Sequence, residues 1–397
     1  MRLAIVSSHP IQYYAPIFQT LAAAARLQPK VFYTWSQTAA AGVPDAGFGR
    51  LISWDLPLLD GYESQFVPNI AKDPGTHHFG GLHNPQLNDA IAAWRPDALL
   101  VFGWNSRSHL GVLRHFKGKV PIFFRGDSTL LNPQPALRKR ARHVFLRWIY
   151  RHIDVAIAVG ANNRDYYRWC GVPEERIAFA PHAVDTSRFA DEGGRHEEQA
   201  LQWRRQLQIA PEARIALFAG KLMGVKNPHL LLNAFVASGA PGHLVFVGNG
   251  VLEPALRAAA AGRADVHFLP FQNQLAMPAV YRLADLFVLP SLSETWGLSL
   301  NEAMACGRPV VASSRVGGAR DLVSPGVNGW VFENDQIAAL TQVLREGLTC
   351  DPQVLRAMGE AARRESARWS IGEAARGIER AVLEYRGPQN GRSISFA

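Results

Sequence analysis

Two carboxylates, Glu294 and Glu302, stand eight positions apart in the run Glu294-Thr295-Trp296-Gly297-Leu298-Ser299-Leu300-Asn301-Glu302. The apolar stretch Asp285-Leu286-Phe287-Val288-Leu289-Pro290-Ser291 before them is bounded by turn formers, as a buried parallel strand is. A helix follows it, and Gly307 with Pro309 marks that helix's end. Backbone amides at a helix start, here near Gly297 and Leu298, attract a diphosphate. Carboxylates repel phosphate but accept hydrogen bonds from sugar and ribose hydroxyls. One kind of ligand carries both groups, a nucleotide sugar, with Glu294 orienting the sugar and Glu302 the ribose. Each acid also has a structural reading. Ser299-Leu300-Asn301-Glu302 matches a capping box, and Glu294 could be a surface-loop residue.

The elements that must hold these residues recur in two series. Apolar strand candidates run Leu3–Val6, Lys30–Trp35, Ala98–Phe102, Val120–Phe124, Val155–Val159 and Ile177–Ala180. A second series starts at Ile215 and continues through Leu244–Val247, Val266–Leu269, Leu286–Leu289, Val310–Ala312 and Trp330–Phe332. Strands alternating with amphipathic stretches predict an α/β protein with two doubly wound parallel sheets, each Rossmann-like. The polar, glycine-containing Asp191–Glu198 reads as linker and early surface of the second domain, which places domains at residues 1–189 and 190–369. Residues 370–386 form a final helix, with helical spacing at Ile371, Ala374, Ala375, Ile378, Val382 and Leu383. Ligand sites of parallel sheets lie beyond the carboxyl ends of their strands, so donor and acceptor are expected where two such ends face each other.

Further motifs fall in a familiar order. Ser8-His9-Pro10-Ile11-Gln12-Tyr13-Tyr14 and Pro181-His182-Ala183-Val184-Asp185 lie in the first domain or just after it. Phe218-Ala219-Gly220-Lys221, Lys226-Asn227-Pro228, Phe246-Val247-Gly248-Asn249-Gly250 and Phe268-Leu269-Pro270-Phe271-Gln272 lie in the second. With the glutamate pair, these make nearly the whole chain resemble the retaining glycosyltransferases of family 4, which have the GT-B fold. The resemblance implies two facing Rossmann-like domains and sugar transfer from a nucleotide diphosphate with retention at the anomeric carbon. It implies no cofactor and no metal, and a last helix that returns to the first domain.

Several residues take expected roles on that footing. Lys221 and Lys226 follow the strand that starts at Ile215, and would face the diphosphate as it leaves with growing charge. Many members of the family have arginine where Lys221 stands, and lysine lacks the planar two-pronged contact. Two solvated loop lysines are the plain alternative. Gly248 permits close backbone approach beside Asn249, although glycine there also suits an ordinary turn. The resemblance implies that Phe271 and Gln272 contact the nucleotide base. In the first domain the family's glycine-rich loop is replaced by Ser7-Ser8-His9-Pro10, leaving His9 and Gln12 to reach a sugar or phosphate oxygen. The resemblance makes Asp127 a catalytic candidate beside the reacting carbon and Arg125 another, while Gly126-Asp127-Ser128 is also good turn chemistry.

Composition sets outer limits. The chain has 397 residues, 48% of them hydrophobic, enough for more than one core. Its three cysteines, Cys170, Cys306 and Cys350, are far apart, which fits a reducing cytoplasm without a disulfide framework or zinc site. Neither a signal sequence nor a membrane-spanning run is read, so a cytoplasmic or peripheral location is expected. The net charge of +9 raises a polyanion-binding alternative. Much of the charge sits in 137–151, where Leu137, Ala141, Val144, Phe145 and Trp148 form an apolar stripe among arginines. That stripe either packs on the sheet or docks on an anionic membrane holding a lipid-linked acceptor. Nucleic acid is not an expected partner. A nucleotide-sugar epimerase of the same fold is a second enzymatic alternative. The glycine-, proline- and aromatic-rich Thr38–His83 is expected to shape the acceptor side.

Overall fold

A computed structural model describes residues 1–36, 43–45, 50–52, 54–191 and 193–387. Thr38, other residues of the expected acceptor loop, and Glu192 of the expected linker lie outside the described residues. The strands of the first half are β1 (Arg2–Ser7), β2 (Gln28–Tyr33), β3 (Val43–Asp45), β4 (Arg50–Ile52), β5 (Glu63–Phe66), β6 (Ala98–Phe102), β7 (Ile122–Arg125), β8 (Val155–Ala158) and β9 (Ile177–Phe179). Seven of them form a sheet in the order β5-β2-β1-β6-β7-β8-β9, and β3 pairs with β4. The second half supplies β10 (Ile215–Ala219), β11 (His243–Val247), β12 (Val266–Leu269), β13 (Leu286–Leu289), β14 (Val310–Ser313) and β15 (Gly329–Phe332). These form a six-stranded sheet in the order β12-β11-β10-β13-β14-β15.

Both sheets are parallel, and their central strands are continuous apolar runs because helices cover both faces. In β1, Leu3 and Ile5 join one core with Ile17 and Phe18, while Ala4 and Val6 join another with Ile91 and Val112. That two-residue alternation assigns successive side chains to opposite faces. Ile5 sits between Val31 and Leu100 in register, so β1 anchors the middle of the first sheet.

The chain divides into two compact units, one built from residues 1–43, 57–183 and 371–397, the other from 44–56 and 184–370. Phe189 is wholly buried in the second unit, where its ring meets Tyr281 and its carbonyl accepts from Arg282 at 2.7 Å. The expected linker is also part of this unit. Asp191 accepts from the amides of His196 and Glu197 at 3.1 and 2.9 Å, so it caps the helix Arg195–Gln206. The last helix, Ile371–Glu384, belongs to the first unit and places Ala374, Ile378 and Val382 in the core beside Leu3 and Ile5.

Two elements differ from expectation. β5 lies inside the stretch read as irregular, because Glu63-Ser64-Gln65-Phe66 is a half-exposed edge strand paired only with β2. The basic helix Ala136–Tyr150 buries Leu146, Ile149 and Tyr150, whereas most of the apolar stripe read from sequence is turned outward, with Trp148 half-buried. Leu137, Val144 and Phe145 are 82%, 65% and 47% exposed.

Candidate active site

The carboxyl ends of β10 to β14 all meet one edge of the second sheet, and their loops are tied together by backbone hydrogen bonds. Leu222 after β10 donates to the carbonyl of Asn249 at 3.0 Å, and Leu292 after β13 donates to that of Val225 at 2.9 Å. Gly317 after β14 donates to the carbonyl of Glu294 at 3.1 Å. The backbone of Glu294 is thus bridged to the next loop, its own amide donating to Arg315 at 3.1 Å. There is no room for larger residues here. A Cβ on Gly317 would lie 1.9 Å from the Thr295 carbonyl oxygen, and one on Gly297 would lie 2.7 Å from Val316 Cγ1.

That frame sets the side chain of Glu294. Its Oε1 accepts from Lys226 Nζ in an ion pair and from Ser291 Oγ at 3.1 Å. The two charged side chains are 16% and 23% exposed, so they are drawn into the edge yet still reach solvent. Lys221, half-buried, stands on the same loop as Lys226. Gly297 adopts a left-handed conformation (φ +93°) and opens the helix Leu298–Ala305 as an N-cap that has no side chain of its own. The capping box is therefore absent: Ser299 already lies inside the helix, because the turn is made by Gly297. Glu302 is instead 2% exposed and accepts from Tyr281 Oη at 2.6 Å. On the other side of the turn, Trp296 Nε1 donates to Asn301 Oδ1 at 2.8 Å.

The neighbouring loops refine other expectations. Asn249 bridges two elements, accepting from the Phe271 amide at 2.9 Å and donating to Glu253 at 2.8 Å. Its side chain fixes the loop. Gly248 (φ +130°) is required by its neighbour, since a Cβ there would be 2.1 Å from the Gly220 carbonyl oxygen. Phe271 and Gln272 remain half-buried at this edge, with Gln272 Nε2 donating to the carbonyl of Pro270 at 3.1 Å.

In the first unit, Arg125 ends β7 and is 2% exposed. Its terminal nitrogens each donate at 2.8 Å to the carbonyls of Ala180 and Pro181. Both groups thereby fix the backbone before His182. Asp127 is half-buried in the following turn. It acts electrostatically on His182, a buried residue whose pKa is pushed down to about 4, chiefly by loss of solvent. Tyr14 stacks near His182 at 6.3 Å between ring centres. His9 is also pushed down to about 4 by burial, with Nδ1 2.9 Å from Ser8 Oγ and its ring edge against Trp35. Gln12 is half-buried just before the first helix.

Residues without an expected role also emerge here. Ser291 and Tyr281 orient the two glutamates, and His182 with Tyr14 accompanies Asp127. Ser291 sits three residues before Glu294 and could have been flagged by proximity. The partnership of Tyr281 with Glu302 joins separate elements and left no local signal. Among the described residues, one exposed group, Asp73, His77 and His78, brings three metal-type ligand atoms within 4.8 Å. It includes none of the candidates above.

Two Rossmann-like parallel sheets, one with a helix start beside a lysine and a carboxylate, define a doubly wound two-domain α/β protein. Comparison with known proteins narrows this. The family model for glycosyl transferases group 1 matches residues 199–365, and that for a glycosyl transferase 4-like domain matches 67–183. The chain is 36% identical over 349 residues to a D-inositol 3-phosphate glycosyltransferase of Geodermatophilus obscurus, covering 77% of this chain and 74% of that protein. It is 37% identical over 371 residues to the protein of the same name in Actinosynnema mirum, covering 83% and 84%. The chain belongs to the group 1 glycosyltransferases and is a glycosyltransferase. Solved structures agree on the GT-B fold. Anabaena HepE, in complex with UDP and glucose, superposes with a TM-score of 0.71 at 18% identity over 97% of this chain and 100% of that one. Sucrose-phosphate synthase from Thermosynechococcus elongatus gives 0.72 at 20% over 97% and 98%. Family membership selects sugar transfer over the epimerase and polyanion-binding alternatives.

Proposed function

We propose that this enzyme moves a sugar from a nucleotide diphosphate, of uridine or guanosine type, to an acceptor hydroxyl with retention of anomeric configuration. The observation that carries the reading is the Lys226–Glu294 pair at the carboxyl edge of the second sheet, beside the glycine-led start of the helix Leu298–Ala305. Lys226, Lys221 and the amides at Gly297 and Leu298 stabilise the leaving diphosphate, work that a divalent metal performs in other transferases. Glu294 turns from its lysine toward sugar hydroxyls, and Glu302, oriented by Tyr281, toward the ribose. Phe271 and Gln272 border the base. In the first unit, Asp127, His9 and Gln12 serve the acceptor or the reacting carbon.

The acceptor is a glycan or lipid-linked hydroxyl of cell-surface polysaccharide or glycolipid assembly. The exposed apolar residues of the basic helix Ala136–Tyr150 favour this acceptor, since they suit a peripheral protein on an anionic membrane. The relatives' name favours a second acceptor class, a phosphorylated cyclitol, which a screen should include. Thermal shifts with uridine, guanosine and adenosine diphosphate sugars, followed by acceptor trials, test the donor. Glu294→Gln should fold normally, by circular dichroism, and lose two or more powers of ten in transfer rate, as expected for lost transition-state contacts. A folded variant with near-normal turnover rejects the assignment.

A further inference from the structure

Two adjoining cavities, about 540 and 270 Å³, are both lined by Glu197, Arg282 and Arg363 in the second unit. The smaller also includes Arg214, Asp285 and Pro309, each immediately before a strand of that sheet. It therefore opens at the amino ends of the parallel strands, the edge opposite Glu294 and Lys226. Nothing in the proposed transfer uses it.

Its charges are unevenly matched. Asp285 is shared by Arg204 and Arg214 at 3.1 Å each, and Glu197 by Arg282 at 3.8 Å and Arg308 at 3.5 Å. Asp191 takes Arg282 at 3.6 Å, and Glu360 lies 4.0 Å from Arg364. Arg356 and Arg363 line the smaller cavity and have no carboxylate within ion-pair distance among the described residues. They are two turns apart on the helix Pro352–Ala367, hence on one face. Arg363 is seated, since its Nη2 would be 2.8 Å from a Cβ on Gly307. Arg308 adds a buried Nε with no hydrogen-bond partner. The helix Leu298–Ala305 turns its carbonyl end this way, which disfavours an anion. Five arginines line the smaller cavity against three carboxylates, Glu197, Asp285 and Glu360, and that excess outweighs the partial charge.

We infer that the cavity formed by Arg308, Arg356 and Arg363 is a second ligand site, for a small phosphorylated anion, separate from the donor site. Planar guanidinium forks match phosphate oxygens in pairs, which a scatter of lysines would not. The site needs no covalent step and stands independently of the proposed transfer.

Calorimetric titration with inorganic pyrophosphate, at constant ionic strength, tests it on three proteins: wild type, Lys226→Gln and the double variant Arg356→Gln/Arg363→Gln. The donor edge also attracts pyrophosphate, and the lysine variant weakens that contribution. The inference expects saturable binding to persist in Lys226→Gln and to weaken at least tenfold at one site in the double variant, with unchanged circular dichroism. Both arginines are exposed, and the single variant Arg363→Gln serves if the pair disturbs folding. Loss of all binding in Lys226→Gln, or a double variant that titrates like wild type, overturns the site.

Discussion

Gly317 shows how tightly single residues fix this site, because a methyl group there would collide with the Thr295 carbonyl rather than with a movable side chain. Gly317→Ala should destabilise the second unit by about 3 kcal/mol, read from the urea midpoint, with an accompanying loss of transfer. Unchanged stability would mean the two loops are not in contact. His182 makes a second prediction, on pH. Burial pushes its pKa down to about 4 from an ordinary 6.5, so between those values the unfolded chain holds a proton that the folded chain lacks. The associated stability is complete above pH 6.5 and lost as pH falls toward 4, to the extent of about 3 kcal/mol. His182→Gln should flatten that slope in acid denaturation, and an identical slope rejects the burial of a neutral ring. That Glu294 and Lys226 stand at one edge of the second sheet was legible in the sequence, because both follow apolar strands. The hold of Arg125 on the carbonyls of Ala180 and Pro181 was not legible, because those partners are backbone groups far along the chain.

The helix Ile371–Glu384 supplies the element-scale test. Its apolar spacing was plain, but spacing names a buried face and not the surface that buries it. The structure gives that surface: Ile378 is 0% exposed in the core around Leu3, Ile5 and Ile17. Ile378→Ala should cost the first unit about 2–5 kcal/mol, the range for a large-to-small core change, measured by chemical denaturation. A loss below ~1 kcal/mol would place the helix on the surface. Central strands such as β1, β6, β10 and β13 were easy to read, being apolar throughout. β5 was hidden for the opposite reason. An edge strand with one partner can carry Glu63, Ser64 and Gln65, so its alternation is too polar to stand out. The helix Leu298–Ala305 starts where its amides were read, and the left-handed Gly297 at its head sets aside the alternative of a serine-led capping box.

At the scale of the whole molecule, two parallel sheets followed from the two series of apolar strands, but the points where the chain passes between units did not. Val184 and Ser370 meet in a bridge there, an association of distant residues that local pattern cannot reveal. The net charge of +9 is likewise a property of the whole chain, and its meaning depends on where it is carried. On the helix Ala136–Tyr150 the cations Arg138, Lys139 and Arg140 accompany Leu137, Val144 and Phe145, which are exposed, although one side of Phe145 rests on Trp104 and Trp148. Attraction alone would hold such a helix near any polyanion, but insertion of apolar side chains needs a lipid interface. The chain should therefore float with phosphatidylglycerol vesicles and not with phosphatidylcholine vesicles. Leu137→Ser/Phe145→Ser should weaken flotation at low salt while leaving heparin retention unchanged, because the charges remain. High salt should weaken both, as screening shortens the reach of the arginines. Equal flotation with both lipids removes the electrostatic part of this reading, and full flotation of the serine variant removes the insertion part.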